Sequence, residues 1–435
     1  MKKTILPVVL FLLISASSGY CENFLKGVTK VQLKNGLTVL IKEDHAQPVV
    51  SVQVWVKTGS VNENDKQKGL SHFLEHLIFK GTKKYPGDEI SRRVEDEGGI
   101  INAATSKEFT HFHIDIQKEG AYEAIRILAD AMANATFPDN EIDKERPVVI
   151  EEIVRHNDNP GGVLYDKFSE AMFLKTPYRY SIIGSSQVIK DVSRQEIADY
   201  YHSWYVPENM FLSIAGDIEE KDALKIIEDT FGRQEMRQCP KPPELEEAEH
   251  APRQAIEKKD VEHDYLLAGF FGPDIMSKDQ FAADVVSNIL GGGRSSRLYR
   301  KLREEKQLVY VIAASFEGQR GNGIVAFSSV FAAGKKKQVL DAIENEIKLL
   351  ATMGPSEVEL SRAKEMIKSE WYFDQESYHD QASSLGYWYM QGNPGMLDTY
   401  IDSVNKVTKD AVQKFLEKYY NPQLLSYAIL EREKK

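Results

Sequence analysis

The chain has 435 residues, a net charge of −11, 42% hydrophobic and 28% charged residues, and two cysteines. That length suits two or three domains rather than one, and the composition is that of a folded chain rather than a disordered one. The acidic balance excludes the basic field of a non-specific nucleic-acid binder, and two cysteines exclude a disulfide-built scaffold.

The first twenty residues have the layout of a secretory signal. Lys2 and Lys3 are followed by an apolar run from Ile5 to Ile14 and by small residues from Ser15 to Gly19. The run is about half of what a membrane-spanning helix needs. Residues 1–20 therefore predict export, to the periplasm or beyond, with cleavage near Gly19 or Tyr20 and a mature charge near −13. If Cys21 is retained, it and Cys239 form a candidate disulfide in an oxidising compartment, as a loop tether.

Two strand-like runs, Val31 to Leu33 and Leu37 to Ile41, flank Asn35-Gly36, a hairpin signal. Val49 to Val56 alternates apolar and polar residues, which predicts a half-buried strand. Helical stretches follow at Gly69 to Lys80 and Asp88 to Glu97, then strands at Ile100 to Ala104 and Thr110 to Ile116. From Gly120 to Phe231 the period is mostly helical, apart from a strand at Met210 to Ala215. Strands near Tyr265 to Phe271, Leu308 to Phe316 and Ile324 to Phe331 precede helices from Lys335 to Lys418.

The chain repeats itself once. VSRQEIADYYHSWYVP, Val192 to Pro207, reads like VTKDAVQKFLEKYYNP, Val407 to Pro422, at an offset of 215 residues. A repeat of this size implies duplication of a whole domain. Between the copies, Met236 to Pro252 is rich in Pro and Glu and reads as a linker. The predicted organisation is an N-terminal domain at 24–235, a linker at 236–254 and a homologous C-terminal domain at 255–435. Strands grouped before helices make each domain α+β.

One constellation carries chemistry. His72 and His76 lie four apart in an apolar-periodic helix, about 40° apart around its axis, so both can face one metal ion. Glu75 sits on the flank of that face, within reach of a metal-bound water. This is the H-x-x-E-H order. A third ligand is needed, with the fourth position open. Glu152 is the best candidate. Glu145, two turns before it on the same helix face, is placed to support a histidine ligand. His111 and His113 alternate onto one strand face like a metal pair, but no third ligand has an obvious position beside them. Gly291-Gly292-Gly293-Arg294 lacks the Lys-Ser/Thr of a phosphate loop and reads as a turn.

GLSHFLEHLIFKGT, with ERPVVIEE downstream, closely resembles the pitrilysin family of zinc metallopeptidases, which includes insulysin and the mitochondrial processing peptidase. GGIINAATSKEFTHF is similar to the family's substrate-binding edge strand, and SSRLYRKLREEKQLVYVIAAS to its second-domain motif. The resemblance implies the short, processing-peptidase-like branch: two tandem homologous α+β domains, each a mostly antiparallel sheet packed with helices, closing as a clamshell on dimerisation. It implies one zinc ion per chain held by His72, His76 and Glu152, with Glu75 as general base and Glu145 in support. Arg303 and Tyr310 match a family pair that stabilises the reaction, and by analogy they serve the partner chain's site. Asn102 and Ala103 are implied to bind the substrate backbone, as an edge strand can. The implied activity is zinc-dependent endopeptidase cleavage of peptides or unfolded segments within an enclosed chamber, by a homodimer. Two alternatives stand beside it: a non-catalytic assembly subunit, and the catalytic half of a heterodimer with a motif-poor homologue.

Overall fold

A computed structural model describes residues 24–245 and 251–433. The signal-like residues and Cys21 lie outside them. In the first half, strands β1 (Val28–Gln32), β2 (Thr38–Glu43), β3 (Val49–Val56), β4 (Ile100–Thr105), β5 (Thr110–Gln117) and β6 (Met210–Gly216) form one sheet in the order β1-β2-β6-β3-β5-β4. Its helices are α1 (Leu70–Leu77), α2 (Glu89–Asp96), α3 (Ala121–Asn134), α4 (Asp139–Asp158), α5 (Pro160–Met172), α6 (Ser186–Asp191), α7 (Arg194–Trp204) and α8 (Glu220–Asp229).

The second half has strands β7 (Gln254–Lys259), β8 (Asp264–Phe271), β9 (Val309–Glu317), β10 (Ile324–Phe331) and β11 (Ser426–Arg432), in the order β7-β11-β8-β10-β9. Its helices are α9 (Gln280–Gly291), α10 (Lys336–Met353), α11 (Glu357–Phe373), α12 (Tyr378–Met390), α13 (Met396–Asn405) and α14 (Lys409–Tyr419). The order reproduces that of the first half from β2 onward. Each sheet also holds one parallel pair, β2 with β6 and β7 with β11, among antiparallel neighbours. The repeated sequences form the equivalent helices α7 and α14, capped by the hydroxyls of Ser193 and Thr408. Strand β7 was not expected; its N-terminal residue falls at the end of the stretch read as a linker.

The β1–β2 hairpin turns over Leu33 to Gly36, where Gly36 N–H donates to the Leu33 carbonyl and φ is 93°. The Asn35 amide leaves the turn and donates to the Phe231 and Gln234 carbonyls, tying the hairpin to the end of the half.

The half-buried reading of β3 is corrected. Val50, Val52, Val54 and Val56 face the main core with Phe112, Ile114, Leu212 and Ile214, as the alternation predicts. The other face, with Ser51, Gln53 and Trp55, is buried as well. Helix α12, from the second half, covers it. Leu385, Trp388 and Met390 pack on Trp55 and Phe211. Gly386 lets the helix approach so closely that a Cβ there would lie 2.4 Å from the Trp55 ring. The exchange is reciprocal, for α5 of the first half packs Val163, Leu164, Phe168 and Met172 on Ile324, Ala326, Ala428 and Leu430 of the second sheet. Each sheet is thus completed by a helix from the other half of the chain.

Candidate metal centre

Helix α1 buries Leu70, Phe73, Leu74 and Leu77, which leaves His72, Glu75 and His76 together on the half-buried flank. Its N-terminus is fixed by an acid that the sequence did not single out. Glu63, itself buried, accepts the backbone N–H groups of Gly69 and Ser71, each at 2.7 Å. Those amides are orphan donors of the first turn. Burial pushes the Glu63 carboxyl up to about 8, against the two amide bonds that favour its charged form. The Ser71 hydroxyl meets Tyr200 Oη at 2.8 Å, so the first turn is held from two sides.

Helix α4 supplies the remaining acids. Val149 and Ile153 anchor it in the core, and the Arg146 guanidinium donates to the backbone carbonyls of Ile189 and Val192. Glu145 and Glu152 then face α1 together. His76 lies between them: Nδ1 is 3.3 Å from Glu145 Oε2, and Nε2 is 3.3 Å from Glu152 Oε2. His72 Nε2 is 3.7 Å from the same Glu152 oxygen. Ligand atoms of His72, His76 and Glu152 all lie within 4.8 Å of one another. Lys80 Nζ binds the other Glu145 oxygen at 2.8 Å.

These groups fit a zinc ion. Burial, with the neighbouring His76, pushes His72 down to about 4, which leaves its imidazole neutral and able to ligate. His72 Nδ1 is buried without a hydrogen-bond partner. Two imidazoles and one carboxylate are a usual set for a three-ligand zinc site. Glu75 is held apart from the set by Thr105, whose hydroxyl donates to its carboxylate at 2.5 Å. Burial raises the Glu75 pKa, with Glu152 adding to the rise and Thr105 and His76 opposing it.

The cluster opens into a cleft of about 390 Å³ lined by His72, Glu75, Ala103, Thr105, Lys107 and Tyr165 among others. Ala103 and Thr105 belong to β4, the edge of the first sheet. Asn102 does not line the cleft; its side-chain oxygen accepts the Ala103 N–H at 2.9 Å. Lys107 is a further residue that sequence reasoning passed over. Its amine donates to the Tyr178 and Tyr180 carbonyls, and burial lowers its pKa to about 8.

Arg303 and Tyr310 line no part of this cleft. Arg303 lies in a π-helical turn, Tyr299–Glu305, with its guanidinium 5.6 Å from the Tyr299 ring centroid. Tyr310 is 47% exposed on β9, the edge of the second sheet, and packs against His263 at 4.5 Å.

The absence of a third ligand beside His113 is corrected. Asp115, two residues on, and His379, from α12, join it in a second group whose ligand atoms lie within 4.8 Å of one another. The sequence could not show this, because His379 arrives from the other half of the chain.

Comparison with known proteins bears on the first group. The insulinase (peptidase family M16) model matches residues 38–186, and the model described as the M16 inactive domain matches residues 191–367. An uncharacterized zinc protease, YmxG of Bacillus subtilis, is 30% identical over 90% of this chain and 97% of its own length. A crystal structure of a protease from Helicobacter pylori superposes with a TM-score of 0.88 at 25% identity, covering 93% of this chain and 99% of that one. The periplasmic protease PqqL of Escherichia coli shares the fold, with a TM-score of 0.79 at 19% identity. This chain covers 48% of that protein's length.

Proposed function

The chain belongs to peptidase family M16, and on that premise we propose that it is a zinc-dependent endopeptidase acting on peptides or unfolded segments. One observation carries the proposal: His72, His76 and Glu152 converge while Glu75 stands beside them in the same cleft, hydrogen-bonded but outside the ligand set.

His72, His76 and Glu152 are the proposed ligands. Zinc, when bound, supplies a Lewis acid that acidifies water and polarises a carbonyl. Glu145 is an acceptor only, so His76 must donate from Nδ1. This leaves the Nε2 lone pair pointing at the cluster. Glu75 takes a proton from the attacking water and delivers it to the leaving amine. Its raised pKa suits both steps, and Thr105 keeps the carboxylate aimed. The substrate lies along β4 as an added strand. Ala103 offers its N–H to that strand once the Asn102 side chain gives it up.

Arg303 and Tyr310 are proposed to stabilise the oxyanion from a partner chain. Their absence from the cleft lining and the exposure of Tyr310 on a sheet edge support action across an interface. The two-fold length of the PqqL chain supports a working unit of two such chains, as a homodimer or with a homologous subunit. Export to the periplasm is proposed from the apolar N-terminal run and from the likeness to PqqL, a periplasmic protease. Among the described residues, no helix is long and apolar enough to cross a membrane.

The test is a peptide-library digest by purified protein. Cleavage should stop with a strong chelator and return with added zinc. Undiminished cleavage in the chelator would remove zinc from the reaction.

A further inference from the structure

The peptidase chemistry uses nothing on the opposite face of the first sheet, where a second set of metal-binding side chains meets. Strand β5 places His111, His113 and Asp115 on the face away from α1, across from Trp55, Gln53 and Ser51 of β3. His379, the second residue of α12, comes down onto this face from the second half. Its Nδ1 lies 2.9 Å from Asp115 Oδ2, and His113 Nε2 lies 3.8 Å from the same oxygen. The His113 and His379 rings meet edge to face, 4.6 Å between centroids.

We propose that His113, Asp115 and His379 form a second zinc site, which clasps helix α12 of the second half to the sheet of the first.

A simple Asp115–His379 ion pair accounts for only part of the cluster. It leaves His113 Nε2 at 3.8 Å from Asp115 Oδ2, too far for a direct hydrogen bond, although ligand atoms of all three residues lie within 4.8 Å of one another. A second imidazole thus stands at the carboxylate without a direct bond to it, as two ligands of one cation would. With one, both histidines and Asp115 Oδ2 become ligands, and the ion takes the place of the proton that His379 shares with Asp115.

The donors select the metal. Two imidazoles and one carboxylate suit zinc rather than calcium or magnesium, which prefer oxygen alone. Tetrahedral ligands at about 2.0–2.1 Å from zinc stand about 3.4 Å apart. The two separations from Asp115, 2.9 and 3.8 Å, bracket that value, and the two histidine nitrogens lie within 4.8 Å of each other, so modest side-chain shifts would close the site. His379 and Asp115 are partly exposed, which leaves room for a water as fourth ligand. The walls are rigid. His111 stacks between Trp55 and His113, and Gln53 donates to the His379 carbonyl at 3.1 Å.

The inference does not depend on the peptidase reading. It is tested in the full-length His72→Ala/His76→Ala variant, stripped with chelator and checked for folding by circular dichroism. Titration with zinc should then give one bound equivalent and a higher Tm. Cobalt(II) in its place should give visible d–d absorption. Adding His379→Ala or Asp115→Asn should abolish the bound equivalent; Asp115→Asn keeps the side chain's shape, so a loss of metal in a folded protein is decisive. A folded double variant that binds no zinc would overturn the proposal, as would zinc binding that neither added substitution changes.

Discussion

Two histidines and two glutamates, spaced by helix periodicity, were enough to assemble most of the candidate centre. The spacing of four between His72 and His76 and of seven between Glu145 and Glu152 both became shared faces, which meet at His76. Glu152→Ala removes the only carboxylate of the triad, and dialysed protein should lose zinc from this site by elemental analysis; retention in a variant lacking His113 and His379 would exclude Glu152 as a ligand. Glu145→Gln should keep zinc but weaken it by about 10- to 100-fold, because Glu145 acts through His76. Glu63 was not legible, since its role as an anchor spans a loop rather than a capping-box interval. It carries a pH prediction. The folded state holds the Glu63 proton up to about 8, whereas the unfolded chain releases it near the ordinary value of 4.5. The folded state therefore binds more protons between those limits, and this contribution to stability is lost as pH rises through them. Urea unfolding at several pH values should show a steeper fall for wild type than for Glu63→Gln. Equal slopes would mean that Glu63 does not titrate in this window.

At the scale of elements, most strand positions and the repeated helices α7 and α14 followed from periodicity and cap signals, whereas β7 and α9 were not anticipated. The exchange of α5 and α12 did not follow from them either, because nothing local to a helix says which sheet will receive it. The polar alternation of β3 was a true signal read in the wrong context. Ser51 and Gln53 face a helix whose backbone and side chains need partners, not solvent. The closest point of that contact is Gly386 against Trp55. Gly386→Ala forces a methyl group to within 2.4 Å of a buried indole, so the helix or the ring must move. Overpacking of this kind costs about 1–3 kcal/mol. Chemical denaturation should register the loss, with Trp55 fluorescence shifting toward that of an exposed indole. An unchanged midpoint would show that α12 is not held as closely as described.

Across the whole molecule, the two sheets present equivalent edges, β4 beside the candidate centre and β9 bearing Tyr310. The proposal that Tyr310 acts on a partner's centre has a direct consequence for mixed chains. Glu75→Gln and Tyr310→Phe chains, each impaired alone, should regain activity when co-assembled, because one site per mixed dimer is intact. Random pairing would restore about a quarter of the wild-type sites. No recovery, in a sample that light scattering shows to be dimeric, would place Tyr310 in the service of its own chain. The central claim, that this chain is a zinc peptidase working through Glu75, meets its most direct test in the Glu75→Gln protein alone. Zinc content and peptide hydrolysis should be measured on the same preparation. The account predicts wild-type zinc with hydrolysis reduced by roughly 10²- to 10⁴-fold or more. Cleavage at the wild-type rate with zinc in place would contradict it.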